Sequence, residues 1–420
     1  METTENLDFS DLYAFFKDYD LQYFKNNNEI LDIIKNFLEK YDNDQAFYIV
    51  DLTKIIQQYQ RWTQHLPNVK PYYAIKCNPN KVIIELLGKL GCNFDCASRD
   101  EIANVLSTGV SPDRIIFANP VKASNQIKYA RQEDIDLLTF DSISELYKIK
   151  LYHPKAQLVV RIKIDDSKSV CRFSSKFGAG MDELESIFTI AKACQLDLIG
   201  VSFHVGSNCY GLESYEHAIR DARATFDMAK KHGFTFRLLD IGGGFPGTEE
   251  KFTFESIAER ITTSIDTHFS EDEYNELEVI AEPGRYMVST SHTLVLNVIG
   301  KKEYVDSSGE KTLKYYLNDG VYGSYNCIHF DYANPKIYPY NERDGKLYKS
   351  VVFGPTCDSM DTIDKECLLP DLAIGEWVYS ECMGAYTISA SSANFNGFKP
   401  ARCYYCITEH KAENKSENKV

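Results

Sequence analysis

Residues 237–244 read RLLDIGGG, and residues 278–285 read EVIAEPGR. Each is a short apolar run that breaks on glycine or on a charged side chain. Six runs of the same kind precede them: PYYAIK to Lys76, FDCAS around Asp95, IIFAN to Asn119, LLTFD to Asp141, LVVRIKI around Arg161 and LIGVSFHVG around His204. Helix-patterned stretches lie between them, among them DELESIFTIAKACQ from Asp182 and ESYEHAIRDARATFDMAKKHG from Glu213. Continuously apolar strands alternating with amphipathic helices indicate a parallel α/β architecture. Eight such units predict a closed (βα)8 barrel of the TIM type, whose chemistry sits where the strands end. Lysine, aspartate, arginine, histidine, glycine and glutamate then converge on one mouth, as in an enzyme.

Outside the runs the texture changes. Residues 1–44 are polar, rich in Asn and Lys, and end in the helical pattern EILDIIKNFLEKY. AFYIVDL reads as a strand, and TKIIQQYQRWTQHL as a helix able to serve as the barrel's eighth outer helix. The barrel is expected over 45–285. From 286 to 409 come β-branched and aromatic runs (HTLVLNVIGKKEY, LKYYLNDG, LYKSVVFG, EWVYSECMGAYTI, ARCYYCIT) broken by SSGE, NDG and NERDG turns. They predict a second, all-β domain, completed by the N-terminal segment. The charged, low-complexity tail 410–420 reads as disordered.

Composition narrows the function classes. A chain of 420 residues leaves room for two domains. A net charge of -15 argues against nucleic acid or an anionic membrane as partner, and suits a cationic substrate. The start, METTENLDFSDLYAFF, has no basic segment followed by an apolar one, so no signal peptide is expected. Twelve cysteines are scattered rather than framed, which predicts reduced thiols and a cytoplasmic protein. Cys403-Tyr-Tyr-Cys406 has the C-x-x-C spacing but no second pair, so no metal site is expected.

The chemistry gathers at the late strands. Loops after the seventh and eighth barrel strands are the usual phosphate site of this architecture. Gly242-Gly243-Gly244 lets backbone N–H groups approach an anion, and Arg285 offers a bidentate cation. An isolated GGG is equally a tight turn; its place after consecutive late strands favours phosphate. Lys76 ends the first strand, where a snorkelling lysine is common. Opposite a phosphate site, its amine instead suits covalent attachment of pyridoxal phosphate through the aldehyde. Glu282 is placed to hold the pyridine nitrogen, His204 to stack on the ring, and Ser207 to donate to phosphate.

PYYAIKCN, FDCAS, SFHVGS, LDIGGGFP, AEPGRY, NDGVYGSYNC, FGPTCDSMD and MGAYT follow in this order along nearly the whole chain. The chain thereby closely resembles the eukaryotic-type ornithine decarboxylases, pyridoxal-phosphate enzymes of the alanine-racemase-like fold. The resemblance implies that Lys76 binds the cofactor aldehyde, that Glu282 pairs with its ring nitrogen, and that His204 stacks on the ring. Asp95 and Arg161 would hold the environment of lysine and cofactor. Phosphate would be held by Ser207, Gly243, Gly244, Arg285 and Tyr386. Asp331 and Asp358 would bind the distal amine of L-ornithine, with Tyr322 and Phe330 nearby, and Cys357 would return a proton to Cα. The resemblance also implies a homodimer, in which GPTCDS reaches into the site of the partner subunit.

Four positions depart from the family pattern: Asn208 in place of glycine, Phe330 in place of tyrosine, and Ser359-Met360 in place of Gly-Leu. The stretch Ser124 to Tyr147 matches the family's antizyme-binding region but carries Glu133, Asp134 and Asp136 where antizyme targets are basic. An antizyme-like regulator therefore stays open. So do two other readings: a sister decarboxylase acting on lysine, arginine or diaminopimelate, and an inactive homologue that binds a regulator. The polar segment Asp165 to Lys176, DDSKSVCRFSSK, is expected to be a mobile lid over the site.

Overall fold

A computed structural model of the chain describes residues 16–25, 29–41, 44–249, 251–269, 276–305, 309–341, 345–392 and 394–409. The chain divides into two compact units, one made of residues up to 56 and from 289 onward, the other of 57–288. The tail expected to be disordered lies outside the described residues. In chain order the strands are β1 (Gln22–Lys25), β2 (Phe47–Asp51), β3 (Val69–Ala74), β4 (Asn93–Cys96), β5 (Ile115–Phe117), β6 (Leu137–Phe140), β7 (Gln157–Arg161), β8 (Ser169–Cys171), β9 (Asp197–Ser202), β10 (Ser207–Cys209), β11 (Leu238–Asp240) and β12 (Glu278–Ala281). They continue as β13 (His292–Val305), β14 (Lys311–Leu317), β15 (Tyr338–Pro339), β16 (Tyr348–Phe353), β17 (Thr362–Leu369), β18 (Trp377–Ser380) and β19 (Arg402–Glu409).

The unit 57–288 is a closed parallel barrel in the order β3-β4-β5-β6-β7-β9-β11-β12, returning to β3. Its strands are the eight runs read from the sequence. Each strand is apolar on both faces because one side packs inward and the other meets a helix. Tyr72, Ile116, Val159, Ile199, Leu238 and Ile280 fill the interior from six different strands. Trp62 holds the helix Leu52–His65 in place. Its fully buried indole donates to the Val69 carbonyl at 2.9 Å and meets Phe245 edge-on at 4.8 Å. Truncating such a side chain to Ala costs about 3–5 kcal/mol.

The other unit carries a nine-stranded mixed sheet in the order β1-β19-β2-β13-β14-β16-β17, with β18 pairing β13 and β15. The long β13 serves two neighbourhoods. Its first half pairs with β2 and β18, and its second half, past an irregularity between Val298 and Gly300, pairs with β14. The helix Ile30–Lys40 covers one face, where Ile33, Ile34 and Phe37 pack with Phe24, Phe47, Ile49 and Val295. Both barrel boundaries differ from the expected ones, the far end only slightly, at 288 rather than 285. β2 hydrogen-bonds to β13 and β19, so the run AFYIVDL belongs to this sheet, and the barrel unit begins at residue 57 rather than 45. Five fully buried residues in β2 demand cover on both faces, which any sheet interior supplies equally well.

Candidate active site

Parallel register places the functional side chains at one end of the barrel. Asp95 on β4 stands beside Ala74 on β3, and Arg161 on β7 stands level with Ser202 on β9. After Ala74 the backbone tightens into the short 3-10 turn Ile75–Cys77, which carries Lys76. The Lys76 Nζ donates to Asp95 Oδ2 at 2.6 Å, from a side chain 40% exposed to a carboxylate with no exposure. Asp95 Oδ1 is buried and has no hydrogen-bond partner among the described residues. The turn after Asp95 is fastened locally: Ser98 Oγ accepts the Glu101 N–H at 3.2 Å, and Glu101 accepts the Ala97 N–H at 2.5 Å. This reciprocal cap starts the helix Arg99–Leu106 and leaves Asp95 little freedom.

His204 follows β9. Its Nδ1 accepts the Gly206 N–H at 2.9 Å, and Phe173 meets the ring edge-on at 4.9 Å. Burial, helped by the Arg161 and Lys76 cations, pulls its pKa well below the usual imidazole range. The ring is therefore neutral at physiological pH. Glu282 follows β12 and is buried; burial, then Asp240 and Asp95, push its carboxyl well above the ordinary range. Arg161 sits among Glu282, Asp240, Asp141 and Asp95, whose attraction opposes the burial that pulls its guanidinium down.

The glycine turn is shaped by close approach. A Cβ at Gly243 would lie 2.8 Å from both the Glu282 carbonyl and His204 Nε2, and Gly244 has a φ of +107°. Neither the Gly243 nor the Gly244 N–H donates to another described residue. Nearby, Arg285 Nη2 donates to Ser207 Oγ at 3.1 Å. Two unspent amides, a hydroxyl and a guanidinium make an anion cradle. Asn208 has a φ of +50°, a conformation that asparagine adopts more readily than other side chains, so its departure from glycine keeps the turn.

These features test whether pyridoxal phosphate fits the barrel mouth. An accessible amine on a carboxylate, an anion cradle and a buried acid for a ring nitrogen match its aldehyde, phosphate and pyridine. The donor set fits.

Residues 165–176, the segment expected to be a mobile lid, carry hydrogen bonds of their own. β8 within them pairs with β10, setting Cys171 against Ser207 and Ser169 against Cys209. Asp166 accepts the Phe173 and Ser174 N–H groups at 2.5 and 2.8 Å. These hydrogen bonds are invisible in a hydropathy pattern.

The sheet unit organises a second group. Tyr322 donates its hydroxyl to Asp358 Oδ2 and stacks on Phe395 at 4.1 Å. Cys357 is exposed, and its N–H donates to Asn396 Oδ1 at 2.9 Å. Asp361, almost fully buried, accepts the Val321 N–H at 2.8 Å and the Thr356 N–H at 3.0 Å. It thus fixes the loop carrying Tyr322 against the loop carrying Cys357 and Asp358. Phe330 and Asp331 are adjacent with opposite fates: the ring is 71% exposed, the carboxylate 6%. Tyr386 has a φ of +55°, a strained conformation for an aromatic residue. The sequence reading missed Phe395, Asn396, Asp361 and Asp240. The NFNGF turn signal around Asn394 was available, but nothing in it pointed to chemistry.

Known proteins are similar to this chain along most of its length. The model of the family described as pyridoxal-dependent decarboxylase, pyridoxal binding domain, matches residues 52–289. Ornithine decarboxylase of Rattus norvegicus is 46% identical over 392 residues, covering 90% of this chain and 84% of that protein. Antizyme inhibitor 2 of Xenopus laevis is 45% identical over 389 residues, covering 90% and 85%. The crystal structure of the Paramecium bursaria Chlorella virus arginine decarboxylase superposes with a TM-score of 0.84 at 34% identity, covering 90% of this chain and all of that one. The barrel, its cradle and its lysine–aspartate pair, together with these likenesses, place the chain in the pyridoxal-dependent decarboxylase family.

Proposed function

We propose that the chain decarboxylates L-ornithine to putrescine and carbon dioxide with pyridoxal 5'-phosphate, the entry to polyamine synthesis. The observation that carries this reading is the Lys76–Asp95 pair at a barrel mouth ringed by Arg161, His204 and Glu282. The named activity of the 46% identical rat relative supports it. Bound there, the cofactor supplies an electron sink for the pair left on Cα when carbon dioxide departs.

The chain's own residues do the rest. Lys76 would hold the cofactor's aldehyde carbon, and Asp95 keeps the Lys76 ammonium in place. Neutral His204 offers a flat face to the ring. Glu282 holds the proton on the ring nitrogen, and Arg161 balances the buried acids. Ser207, Arg285 and the Gly243 and Gly244 amides bind phosphate, with Tyr386 as a further donor. Asp331 and Asp358 receive the distal ammonium, with Tyr322 holding Asp358 and Phe330 nearby. Cys357 delivers the proton to Cα. The enzyme acts as a homodimer in which Cys357 and Asp358 serve the partner subunit's site.

Twelve cysteines without a disulfide fit a reducing compartment, and we place the enzyme in the cytoplasm. No described helix is long and apolar enough to cross a membrane. Antizyme-like regulation is not part of the proposal, since Glu133, Asp134 and Asp136 put negative charge on the matching segment.

The test is carbon dioxide release from L-ornithine, L-lysine, L-arginine and diaminopimelate, with the absorbance of the purified protein recorded first. Ornithine should give the highest kcat/KM; a higher value for another amino acid reassigns the substrate. A second reading, a regulator-binding homologue, draws on the likeness to antizyme inhibitor 2. It requires that none of the four releases carbon dioxide.

A further inference from the structure

Asp240 ends β11, is fully buried, and has no role in the assignments above. Register sets it level with Ser202 on β9 and with Ile280 on β12. Its Oδ1 accepts the Gly242 N–H at 2.8 Å, and the Gly242 carbonyl accepts the Glu282 N–H at 2.7 Å. One carboxyl thus fastens the start of the glycine turn, and that turn fastens Glu282. Its other oxygen, Oδ2, is buried and receives no hydrogen bond from a described donor. Of the side chains that act on the Asp240 carboxyl, Glu282 comes first, ahead of Asp95 and Arg161. Two carboxylates buried together cannot both stay ionised, whereas one proton between them turns an acceptor into a donor and satisfies the orphan oxygen.

We infer that Asp240 is a positioning residue for Glu282, tying it to the glycine turn and sharing one proton with it until the cofactor ring binds. The inference rests on the proposed pairing of Glu282 with the ring nitrogen. The pair gives up its proton to that nitrogen if the nitrogen arrives bare, and to solvent if it arrives protonated. With the ring in place, a second carboxylate behind Glu282 strengthens its hold on the ring proton.

Groups from every side act on the pair. Tyr72 on β3 and Asp95 on β4 face it, as do Arg161 on β7 and Lys76 beyond β3. The two cations favour ionised acids, while burial and Asp95 favour the proton. Burial leads and carries Asp240 up to about 7. Both carboxyls are raised, so the pair keeps its shared proton to a higher pH than an exposed carboxylate would.

Infrared spectroscopy of cofactor-stripped protein tests this. Wild type should show a protonated-carboxyl stretch below neutrality, with a titration midpoint well above the ordinary carboxylate range. Asp240→Asn and Glu282→Gln should each move that midpoint down by about one unit or more, because the remaining acid no longer faces a second carboxylate. Pyridoxal phosphate added to wild type below neutrality should abolish the stretch. A wild type without the band, or a midpoint unmoved in the variants that fold by circular dichroism, overturns the inference. If pyridoxal phosphate binds and the band persists, the inference falls while the proposed function stands. If the band titrates as expected but no bound chromophore forms, the shared proton stands and the proposed function falls. Should one variant fail to fold, the other decides; should both fail, the wild-type titration does.

Discussion

Removing the Glu282 side chain is expected to lower kcat by about 10²–10³-fold, the loss typical of one preorganised charge partner. Glu282→Ala should keep its fold, since a buried acid that costs free energy to desolvate contributes little to stability. Comparing kcat with the melting temperature separates the two roles, and an unchanged kcat would leave Glu282 a strand-end charge. Cys357 makes a different demand. Its exposed thiol rests on a backbone N–H held by Asn396, so Cys357→Ala removes the proton donor without disturbing that hydrogen bond. Turnover should fall by about 10²-fold or more, and protonation at the cofactor carbon should produce aldehyde and pyridoxamine phosphate. Chromatography of the products checks this, and putrescine alone at full rate would make Cys357 structural. At this scale the barrel residues were legible because each stands at the end of an apolar run. Asp240 stands at the end of one too, yet its part was hidden: only the backbone path through Gly242 links it to Glu282. Phe395 and Asn396 were hidden for another reason, lying in a turn whose contacts come from residues far away in the chain.

Elements were legible in proportion to their apolar continuity. All eight barrel strands and the helix patterns between them could be read from the sequence, while β1, β8, β10, β15 and β17 could not. Those five are short or carry polar side chains, and pairing rather than composition makes them strands. Between β5 and β6 lies another feature that patterning cannot show. Lys122, with no exposure, donates to the Asn119 and Thr139 carbonyls at 3.0 and 2.6 Å and pairs with Glu145 at 2.9 Å. The ammonium ties the ends of two strands to the helix Ile143–Tyr152. Glu145→Leu strands that charge and should cost about 3–5 kcal/mol; adding Lys122→Met should recover part of it. Burial pulls the Lys122 ammonium down to about 8, from 10.5 in the unfolded chain. Between those values the unfolded chain binds more protons, so Lys122 weighs against folding below the window and its penalty fades as the pH rises through it. Urea titrations of wild type and Lys122→Met across the window should show the wild type gaining on the variant. Parallel curves would mean that Lys122 titrates as an exposed lysine does.

At the scale of the whole molecule the proposal needs two chains. Lys76 belongs to the barrel unit and Cys357 to the sheet unit, and the proposed dimer brings Cys357 of one subunit to Lys76 of the other. Lys76→Ala and Cys357→Ala proteins should each be nearly inactive alone. A two-fold dimer is isologous, so a mixed dimer holds one doubly damaged site and one site with both native residues. After free exchange in an equal mixture about half the dimers are mixed, and each has one working site of two, so about one quarter of wild-type activity should return. Were each site built within a single chain, every site would keep one lesion and mixing would restore nothing. Activity assays on the mixture, with exchange followed through a tagged subunit, distinguish these cases. A fully exchanged mixture no more active than its parents would refute the shared site. It would leave the barrel chemistry of Lys76 intact, and Cys357 would then serve its own chain.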